Sequence, residues 1–444
     1  MRRPSVLFLN RVYPPVRGAT GRVLRDLAQS FAQEGWQVTV ITTGPQPGKE
    51  RDGSIRILRL KGPERPRNVF SYGWIWGKMV WTALRHPPTH LVVTMSDPPF
   101  LIHAGQIIKR FKKARHIHWC HDLYPDIFPA LGVRFPGFML KLFKRASRKA
   151  MKESDKVIVI GRCMAKTLTL DGMSPRNITV IPNWPDLELC TAHGHAPLTG
   201  PMKARMARLQ AAAVQGQGKA VVNGHGAHGH AANGQAPIKP FDAQVKAGPK
   251  FRVLYAGNIG RAHPVEIILD AAELLQEENP EIEFVFVGDV PRFDFLARER
   301  SRRRLDNIRL LPFQPVSKLR EIMESGDVHL ISVKEEAAGL MVPSKLYAAL
   351  AVERPCIFIG PAQSEAAKVI TDFKAGVVVH QDQPEELARQ IKNFRQNDAA
   401  WFAAHHGAAS AGQIFVPEEA INAWIDRAWS VVEPDISSEW GVAA

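Results

Sequence analysis

Lys345 follows the run Val342-Pro343-Ser344, which can open a helix with a positive charge at its start. Ser344 can act as the capping residue, or Pro343 can occupy the first helical position. In either case free N–H groups and the positive end of the helix dipole would point at whatever lies before the helix. Lys345 would add a full charge, so this stretch favours binding of a diphosphate. The alternative is an ordinary capped helix with one solvated lysine.

A second stretch, Asn258-Ile259-Gly260-Arg261, lies where a predicted strand turns into a helix. Gly260 would let the backbone approach a ligand closely, and the guanidinium of Arg261 supplies donors that suit a phosphate group. Pro264 suits the first turn of the helix that follows. We group Gly288, which ends the next predicted strand, with this candidate phosphate site. Taken alone, the pattern is more typical of a plain strand-to-helix turn.

A third stretch runs from His121 to Asp126, directly after a predicted strand. A histidine and a carboxylate at the C-terminal edge of a parallel sheet face the ligand cleft, where they can handle protons or charge. His121 and Asp122 are therefore the candidate catalytic residues. The alternative is that the histidine belongs to the core and Asp122 caps a loop, which is the commoner situation for a single histidine.

The elements that must position these residues alternate between strands and helices. Residues 6–9 predict a short buried strand, and a loop with Gly18 and Gly21 leads into a helix that ends at Gly35. The next strand, 38–41, completes a unit that implies a parallel sheet with a right-handed crossover. Further strands are predicted at 55–60, 91–94, 115–119, 157–160 and 178–181.

The composition changes at residues 191–249, which are rich in Ala, Gly, His, Gln and Pro. Such a stretch cannot bury enough apolar area to offset its ordering entropy, so we expect a flexible insertion. Strands then recur at 253–256, 284–287, 308–311, 328–332, 356–359 and 377–379, which indicates a second parallel α/β domain. We assign 1–188 to an N-terminal domain, 189–249 to the insertion, 250–415 to a C-terminal domain, and 416–444 to a helix and tail that cross back to the N-terminal domain. The ligand cleft would lie between the two domains.

The overall composition indicates which classes of ligand or partner the protein is suited to bind. The 444-residue chain has a formal net charge of +15, which suits nucleic acid, anionic lipid or phosphorylated small molecules. No nucleic-acid-binding signature is present. Four scattered cysteines favour a reducing compartment. No apolar run reaches the roughly 18 residues that span a bilayer, so we expect a soluble or peripheral protein without a signal peptide.

Much of the positive charge lies between Arg134 and Lys152, where seven Lys or Arg residues occur without an acid. Aromatic and apolar residues are interleaved with them, which is typical of a helix on an anionic membrane surface. The tryptophans Trp74, Trp76 and Trp81, together with Lys78, are consistent with a second patch at the membrane interface. The alternative is a solvated helix that packs its apolar face on the domain. We favour the membrane because that alternative does not explain so many cations without acids.

Five motifs, in this order along the chain, resemble family 4 glycosyltransferases of the GT-B fold. The resemblance is closest to the bacterial branch that builds exopolysaccharide, colanic-acid-type and O-antigen repeat units. It covers roughly residues 5–190 and 250–430, and it implies two facing Rossmann-like domains with parallel sheets and an interdomain cleft. The motifs are Tyr13-Pro14-Pro15 with its glycine loop, His121-Asp122-Leu123-Tyr124-Pro125-Asp126, Ile181-Pro182-Asn183-Trp184, residues 257–263, and residues 342–347.

The resemblance implies a retaining transferase with a UDP- or GDP-sugar donor, which is bound mainly by the C-terminal domain, and no separate cofactor or metal. Gly18 and Gly21 would lie near the donor diphosphate, Arg261 matches the family's phosphate-binding arginine, and His121 matches a histidine that contacts the transferred sugar. A glycan acceptor on a polyprenyl diphosphate would place the enzyme in the cytoplasm, peripheral on the inner face of the plasma membrane.

Two positions depart from the family pattern. Glu266 stands where many members carry a lysine, so Lys345 would provide the second cation. Ala348 stands where a glutamate contacts the ribose, so ribose recognition must differ. A sugar-nucleotide epimerase of the same fold and a non-catalytic relative with a degraded donor site therefore remain as alternative functions.

Overall fold

A computed structural model describes residues 3–64, 66, 68–190, 250–288 and 292–439 of the chain. The predicted insertion lies almost entirely outside these described residues. No helix among them is both long and apolar enough to cross a bilayer.

The N-terminal half forms one sheet of eight strands in the order β3-β4-β2-β1-β5-β6-β7-β8. Every neighbouring pair is parallel except the β3–β4 pair, which is antiparallel. Strand β3 is not predicted from the sequence, because its charged, mostly exposed residues lack the apolar pattern of a buried strand. The strands are β1 Ser5–Leu9, β2 Gln37–Gly44, β3 Gly48–Asp52, β4 Ile55–Lys61, β5 Leu91–Thr94, β6 Arg115–Cys120, β7 Lys156–Val159 and β8 Ile178–Val180.

Helices connect these strands and cover both faces of the sheet, which keeps its apolar strands out of water. They are α1 Ala19–Gln33, α2 Val69–Arg85, α3 Leu101–Lys112, α4 Gly137–Glu153, α5 Arg162–Leu170 and α6 Leu187–Cys190.

The C-terminal half forms a second sheet, entirely parallel, in the order β11-β10-β9-β12-β13-β14. Its strands are β9 Phe251–Ala256, β10 Ile282–Gly288, β11 Ile308–Pro312, β12 Val328–Ser332, β13 Cys356–Ile359 and β14 Gly376–Val379. Its helices are α7 Glu266–Gln276, α8 Arg292–Arg303, α9 Leu319–Ser325, α10 Lys345–Ala351, α11 Glu365–Asp372, α12 Pro384–Gln396 and α13 Asp398–Ile414, and the chain continues in α14 Pro417–Glu439.

The strand order reverses once in each sheet, and these switch points decide where a ligand can bind. In the first sheet β1 lies between β2 and β5, and in the second sheet β9 lies between β10 and β12. Open parallel sheets bind ligands outside the carboxyl ends of the strands at such points. The loops after β1 and β5 and those after β9 and β12 are therefore the segments that can form a site.

Helix α14 packs against the N-terminal domain although it follows the C-terminal domain in sequence. Trp424, Ala428 and Val432 belong to the core that contains β1 and β6, and the Trp424 ring lies 4.8 Å from the ring of Trp119. The chain thus connects the two domains a second time.

The basic helix predicted to contact a membrane is α4, and part of its charge is neutralised. Lys144 and Arg148 form ion pairs of 2.7 to 3.0 Å with Asp126 and Asp171. Lys149 also lies 3.9 Å from Glu153, so the interpretation that these cations lack acidic partners is wrong for three of the seven. Asp126 and Asp171 were missed because they lie outside α4, 18 or more residues from the cations in sequence.

The outward face of α4 is nevertheless basic and apolar, and α2 presents a similar face on the same side of the domain, since both helices pack on α3. Lys78 and Arg85 lie over the rings of Trp74 and Trp81 at 4.9 and 4.1 Å. Trp76 is half-buried instead and donates to the carbonyl oxygen of Phe100. We call the exposed residues of the two helices the basic aromatic face: Phe70, Trp74, Trp81 and Arg85 on α2, and Phe138, Lys141, Leu142, Arg145, Lys149 and Lys152 on α4.

Candidate active site

Lys345, the first residue of α10, reaches back to the turn that follows β9. Its Nζ donates a hydrogen bond of 2.8 Å to the carbonyl oxygen of Asn258 and lies 4.8 Å from the centre of the Tyr255 ring. Its carbon stem passes over Gly257, where a Cβ atom would be 3.2 Å from the lysine Cε. Gly257 also has φ of +111°, a backbone conformation that favours glycine. The turns after β9 and β12 are thus joined at one point.

Burial lowers the pKa of Lys345 to about 7, because an ammonium group that is shielded from water is less stable in its charged form. No carboxylate forms an ion pair with it among the described residues. A phosphate group beside this lysine would supply the missing negative charge. The arrangement therefore suits an anionic ligand.

The structure corrects the helix-start prediction made for this stretch. Helix α10 begins at Lys345 and has only seven residues, and Ser344 makes no capping hydrogen bond through its side chain. Pro343 lies outside the helix, before Ser344, and the N–H of Leu346 donates to its carbonyl oxygen. A seven-residue helix has a short row of aligned peptide dipoles, so the lysine side chain carries most of the positive charge here.

The glycines predicted for the C-terminal domain differ in what they do. At Gly288 a Cβ atom would lie 2.7 Å from the carbonyl oxygen of Gly257, so this glycine lets the ends of β9 and β10 come together. At Gly260 a Cβ atom would meet only His263, at 3.6 Å, so the protein itself does not require a glycine there. Pro264 does not start the following helix, because α7 begins at Glu266.

Arg261 is exposed and extends toward the N-terminal domain. Its Nη1 lies 3.5 Å from the carbonyl oxygen of Leu131, and a Cβ atom at Gly132 would lie 3.5 Å from the same nitrogen. Among the described residues it forms no ion pair. The structure therefore places one of the two predicted phosphate-binding cations at the boundary between the domains, and the other, Lys345, within the C-terminal domain.

His121 lies at the end of β6, in the N-terminal domain, and is almost fully buried. Its ring packs against the Trp119 ring at 4.7 Å with the two planes inclined by 49°, and the amide nitrogen of Asn183 donates to its Nδ1 at 3.4 Å. Burial, and to a smaller extent His118, lowers its pKa to about 3, so the ring is neutral at physiological pH. The proton then resides on Nε2, a buried atom without a partner among the described residues. A buried donor of this kind calls for a hydrogen-bond acceptor.

Asp122 has an unusual environment for a carboxyl group. Burial, with a contribution from the neighbouring charge of Asp97, raises its pKa to about 7. Asp97 itself is held by Arg11, whose Nε and Nη2 donate to its two carboxylate oxygens at 2.8 Å each. A pKa near 7 would let the Asp122 carboxyl exchange protons near neutral pH, which is the range that general acid–base chemistry requires.

Ser96 holds the segment that carries both candidate catalytic residues. Its Oγ accepts the backbone N–H groups of His121 at 2.8 Å and Asp122 at 3.1 Å. Ser96 and Asp97 follow β5 in the run Ser96-Asp97-Pro98-Pro99, and neither was among the residues predicted from the sequence. The signal was present, because polar residues that directly follow a buried strand at a switch point lie at the ligand edge of the sheet.

Gly18 and Gly21 lie at the start of α1, beside the loop that follows β1. A Cβ atom at either position would lie 2.8 Å from Cγ1 of Val12, so both glycines allow the loop to pack closely on the helix. Their lack of side chains therefore serves packing within the N-terminal domain. Their predicted place near a donor diphosphate stays a prediction.

The two halves of the site meet through backbone contacts. Asp122 pairs with Met341 in an isolated antiparallel bridge, and the N–H of Leu123 donates to the carbonyl oxygen of Leu340 at 2.8 Å. Ile127 and Ala130 share an apolar cluster with residues of the C-terminal domain. The segment after His121 is thus also part of the domain interface. Met341 is four residues before Lys345, so these contacts connect the two candidate centres.

Comparisons with known proteins agree with this architecture. Residues 20–189 match the family model described as Glycosyltransferase Family 4, and residues 239–404 match the model described as Glycosyl transferases group 1. The putative colanic acid biosynthesis glycosyl transferase WcaI of Escherichia coli (strain K12) is 22% identical over 421 residues, which cover 88% of this chain and 91% of that protein.

Two solved structures have a similar fold. Sucrose-phosphate synthase from Thermosynechococcus elongatus aligns with a TM-score of 0.69 and 15% identity, over 96% of this chain and 98% of that chain. HepE from Anabaena, solved in complex with UDP and glucose, aligns with a TM-score of 0.64 and 16% identity, over 96% of this chain and 100% of that chain. These structures confirm the predicted fold class of two Rossmann-like domains with parallel sheets.

Proposed function

Because the chain belongs to glycosyltransferase family 4 and has the GT-B fold, we propose that it moves a sugar from a UDP- or GDP-linked donor, with retention of configuration, to a lipid-linked glycan in cell-surface polysaccharide synthesis. The observation that carries this proposal is the position of Lys345. Its ammonium group lies at the C-terminal edge of the second sheet without a carboxylate partner among the described residues, on a segment that contacts the His121–Asp122 segment of the other domain.

Loss of the nucleotide diphosphate is the step that these cations would assist. Negative charge grows on the diphosphate as the glycosidic bond breaks, and preorganised donors that meet this charge lower the barrier. Lys345 would contact the diphosphate from the C-terminal domain, and Arg261 would turn toward it from the domain boundary. Protein cations would then supply the charge, in line with the expectation that the enzyme needs no metal.

The N-terminal residues would orient the sugar that is transferred. Neutral His121 would donate from Nε2 to a sugar oxygen, since this buried N–H has no partner among the described residues. Asp122, with a pKa of about 7, would be half ionised at neutral pH, and its ionised form accepts a hydrogen bond from a hydroxyl group. Ser96 holds the backbone of both residues through their N–H groups, so the segment that carries them would be in place before the substrate arrives.

A membrane-bound acceptor would be reached through the basic aromatic face. This face combines exposed aromatic rings with cations, and Phe138, Lys141, Leu142 and Arg145 of α4 recur at helical spacing on one side. Among the described residues, Lys141 and Arg145 form no ion pair. Apolar groups at the headgroup level and basic residues near an anionic leaflet both favour binding to the bilayer surface. We therefore propose that the enzyme works peripherally on the cytoplasmic face of the plasma membrane.

The test begins with the purified chain and a panel of UDP- and GDP-sugars in a thermal-shift assay. A donor that binds the folded state raises the melting temperature by mass action. The stabilising donor is then incubated with lipid-linked acceptors extracted from bacterial membranes, and the products are separated by mass spectrometry. Transfer to the lipid supports the proposal. Release of free nucleotide and an epimerised sugar in the absence of an acceptor would indicate an epimerase. If no donor raises the melting temperature, the result would favour a non-catalytic protein.

A further inference from the structure

Helix α5 of the N-terminal domain has no capping side chain of its own, because the residue before it is Gly161. The first two N–H groups of the helix find their acceptor in the other domain. Arg162 N–H and Cys163 N–H both point at Oε2 of Glu365, at 2.6 and 3.4 Å. Free N–H groups in the first turn of a helix need acceptors, and a carboxylate there also interacts favourably with the helix dipole. Glu365 therefore completes a helix that belongs to the opposite domain.

The Glu365 carboxylate is buried, and both of its oxygens accept hydrogen bonds. Its Oε1 accepts a hydrogen bond of 2.8 Å from Nε of Arg162, while the Glu365 side chain is only 7% exposed. Asp372, at the end of the same helix α11, also pairs with Arg162 at 2.9 Å, but both of these side chains are about half exposed. Charge-assisted hydrogen bonds are stronger when water is excluded, whereas exposed ion pairs contribute little. Glu365 is thus the strong contact of the pair and Asp372 the weak one.

No side chain fits at position 161. A Cβ atom there would lie 2.7 Å from Cγ2 of Val342 and 3.1 Å from Cβ of Glu365. The glycine lets the backbone of α5 approach the C-terminal domain, and it excludes a serine or threonine that would cap the helix locally. The helix therefore depends on Glu365 for its cap.

This contact is connected to the candidate site by adjacent residues of one segment. Val342, which touches Gly161, follows Met341, and Met341 pairs with Asp122. Lys345 comes three residues after Val342. A change in how α5 sits against Val342 would therefore move the lysine relative to the segment that carries Asp122.

We propose that Glu365 is a positioning residue, which sets the orientation of the two domains by capping α5 across their boundary and so aligns Lys345 with the His121–Asp122 pair. Its effect on catalysis rests on the proposed transfer function, while its effect on domain orientation does not. The donor and the groups that orient the sugar lie on different domains, so the reaction depends on this alignment. Displacements of about 1 Å can reduce rates by about a hundredfold.

The experiment compares Glu365→Gln with Asp372→Asn in the full chain. Both variants replace a carboxylate of α11 by an amide, and both remove a charge that faces Arg162, so they differ in burial and in the two backbone N–H groups of α5 that point at Glu365. Amide hydrogen exchange is measured for peptides that contain Arg162 and Cys163, and for peptides that contain Leu123, whose N–H crosses the domain boundary to Leu340. Donor-induced thermal shifts and kcat for transfer are measured in parallel.

For Glu365→Gln we expect faster exchange in both peptides and at least a tenfold fall in kcat. The donor-induced shift should stay within about a degree of the wild-type value, because the diphosphate contacts assigned to Lys345 lie within one domain. Asp372→Asn should behave like the wild type in every measurement. Glu365→Asp keeps the charge but shortens the side chain by one methylene, and we expect the same direction of change; it serves as the test if Glu365→Gln does not fold.

The proposal is overturned if exchange becomes faster only at Arg162 and Cys163, while Leu123 stays protected and kcat does not change. Glu365 would then be only a local cap of α5. Equal effects of Glu365→Gln and Asp372→Asn would also overturn the proposal. If the wild-type chain transfers no sugar from any donor, the proposed function fails, but the exchange of Leu123 still decides whether Glu365 orients the domains.

Discussion

The ammonium group of Lys345 and the carbonyl oxygen of Asn258 lie 2.8 Å apart, which joins the turn after β9 to the start of α10. A carbonyl oxygen is a weak partner for a cation, and the Tyr255 ring beside it adds only a modest attraction. Lys345 therefore remains underneutralised, and its charge is available to an anion that enters between the two turns.

The first prediction concerns the pH dependence of donor binding. In the free protein the pKa of Lys345 is about 7, and a bound diphosphate would raise it by favouring the charged form. Donor affinity should therefore be highest below pH 7 and fall by up to about tenfold per unit above it, until the pKa of the complex is reached. Lys345→Arg should flatten this dependence because arginine stays charged.

Isothermal titration calorimetry between pH 6 and 9 measures this effect, and buffers with different ionisation enthalpies report the proton that is taken up. Lys345→Met should weaken binding at every pH and remove the slope. A wild-type affinity that is constant from pH 6 to 9 would contradict the lowered pKa of Lys345, and an unchanged affinity of Lys345→Met would contradict its assignment to the diphosphate.

The second prediction concerns Ser96, with Ser147 as its matched control. Ser96→Ala removes the acceptor of two backbone N–H groups, those of His121 and Asp122, and should cost about 1–3 kcal/mol of unfolding free energy. The transfer rate should fall as well, because the catalytic segment loses its anchor. Ser147 is also buried near Asp122, but its hydroxyl has no partner among the described residues.

Ser147→Ala should therefore leave stability and activity nearly unchanged. Urea unfolding and initial transfer rates measured on both variants provide the comparison. A loss of equal size in the two variants would show that the Ser96 hydroxyl has no special role.

The third prediction concerns stability in acid. The buried rings of His116 and His118 are joined through the hydroxyl of Thr94. Burial lowers the pKa of His118 to about 3 and that of His116 well below its usual value, so both are neutral in the folded protein. The unfolded chain, with histidine pKa values near 6.5, takes up protons first as the pH falls. Stability is therefore complete above about pH 6.5 and is lost progressively below it.

Each of these histidines should lower the free energy of unfolding by roughly 2 kcal/mol between pH 6.5 and pH 5, at about 1.4 kcal/mol per pH unit. Urea unfolding at pH 7, 6 and 5 measures the loss. His118→Gln should lower stability at pH 7 but reduce its dependence on pH, and an unchanged dependence would contradict the explanation.

The fourth prediction concerns the basic aromatic face. Arg145→Glu reverses a charge on α4 that has no ion pair within the described part of the chain. It should weaken binding to vesicles of anionic phosphatidylglycerol by fivefold or more, since each basic residue near such a surface contributes about 1 kcal/mol. Arg298→Glu is the control, because Arg298 is an exposed arginine of α8 in the other domain.

Trp74→Gln tests the apolar part of the same face, and Ile414→Gln is its control, as both side chains are more than half exposed. Vesicle co-sedimentation should show a loss for Arg145→Glu and Trp74→Gln only, and the loss for Arg145→Glu should vanish at high salt. Binding that is insensitive to all four substitutions would place the membrane contact elsewhere or remove it.

The sequence alone determined the fold class and the candidate residues, because both depend on local patterns. Apolar runs and glycine loops placed nearly every strand, and residues such as Lys345 and His121 could be selected by their position after a strand. The exception was β3, whose residues Gly48–Asp52 are mostly charged. Such a strand is held by its hairpin partner and carries no apolar period that a sequence reveals.

Only the tertiary structure decided which of these residues are paired, buried or joined across the domains. Asp126 and Asp171 neutralise Lys144 and Arg148, burial keeps His121 neutral, and Glu365 caps a helix that begins 203 residues earlier in the chain. Charge state and hydrogen bonding depend on distance and on the exclusion of water, and both arise when remote segments pack together. The hydrophobic periodicity of the sequence does not show which remote residues come close together in the folded chain.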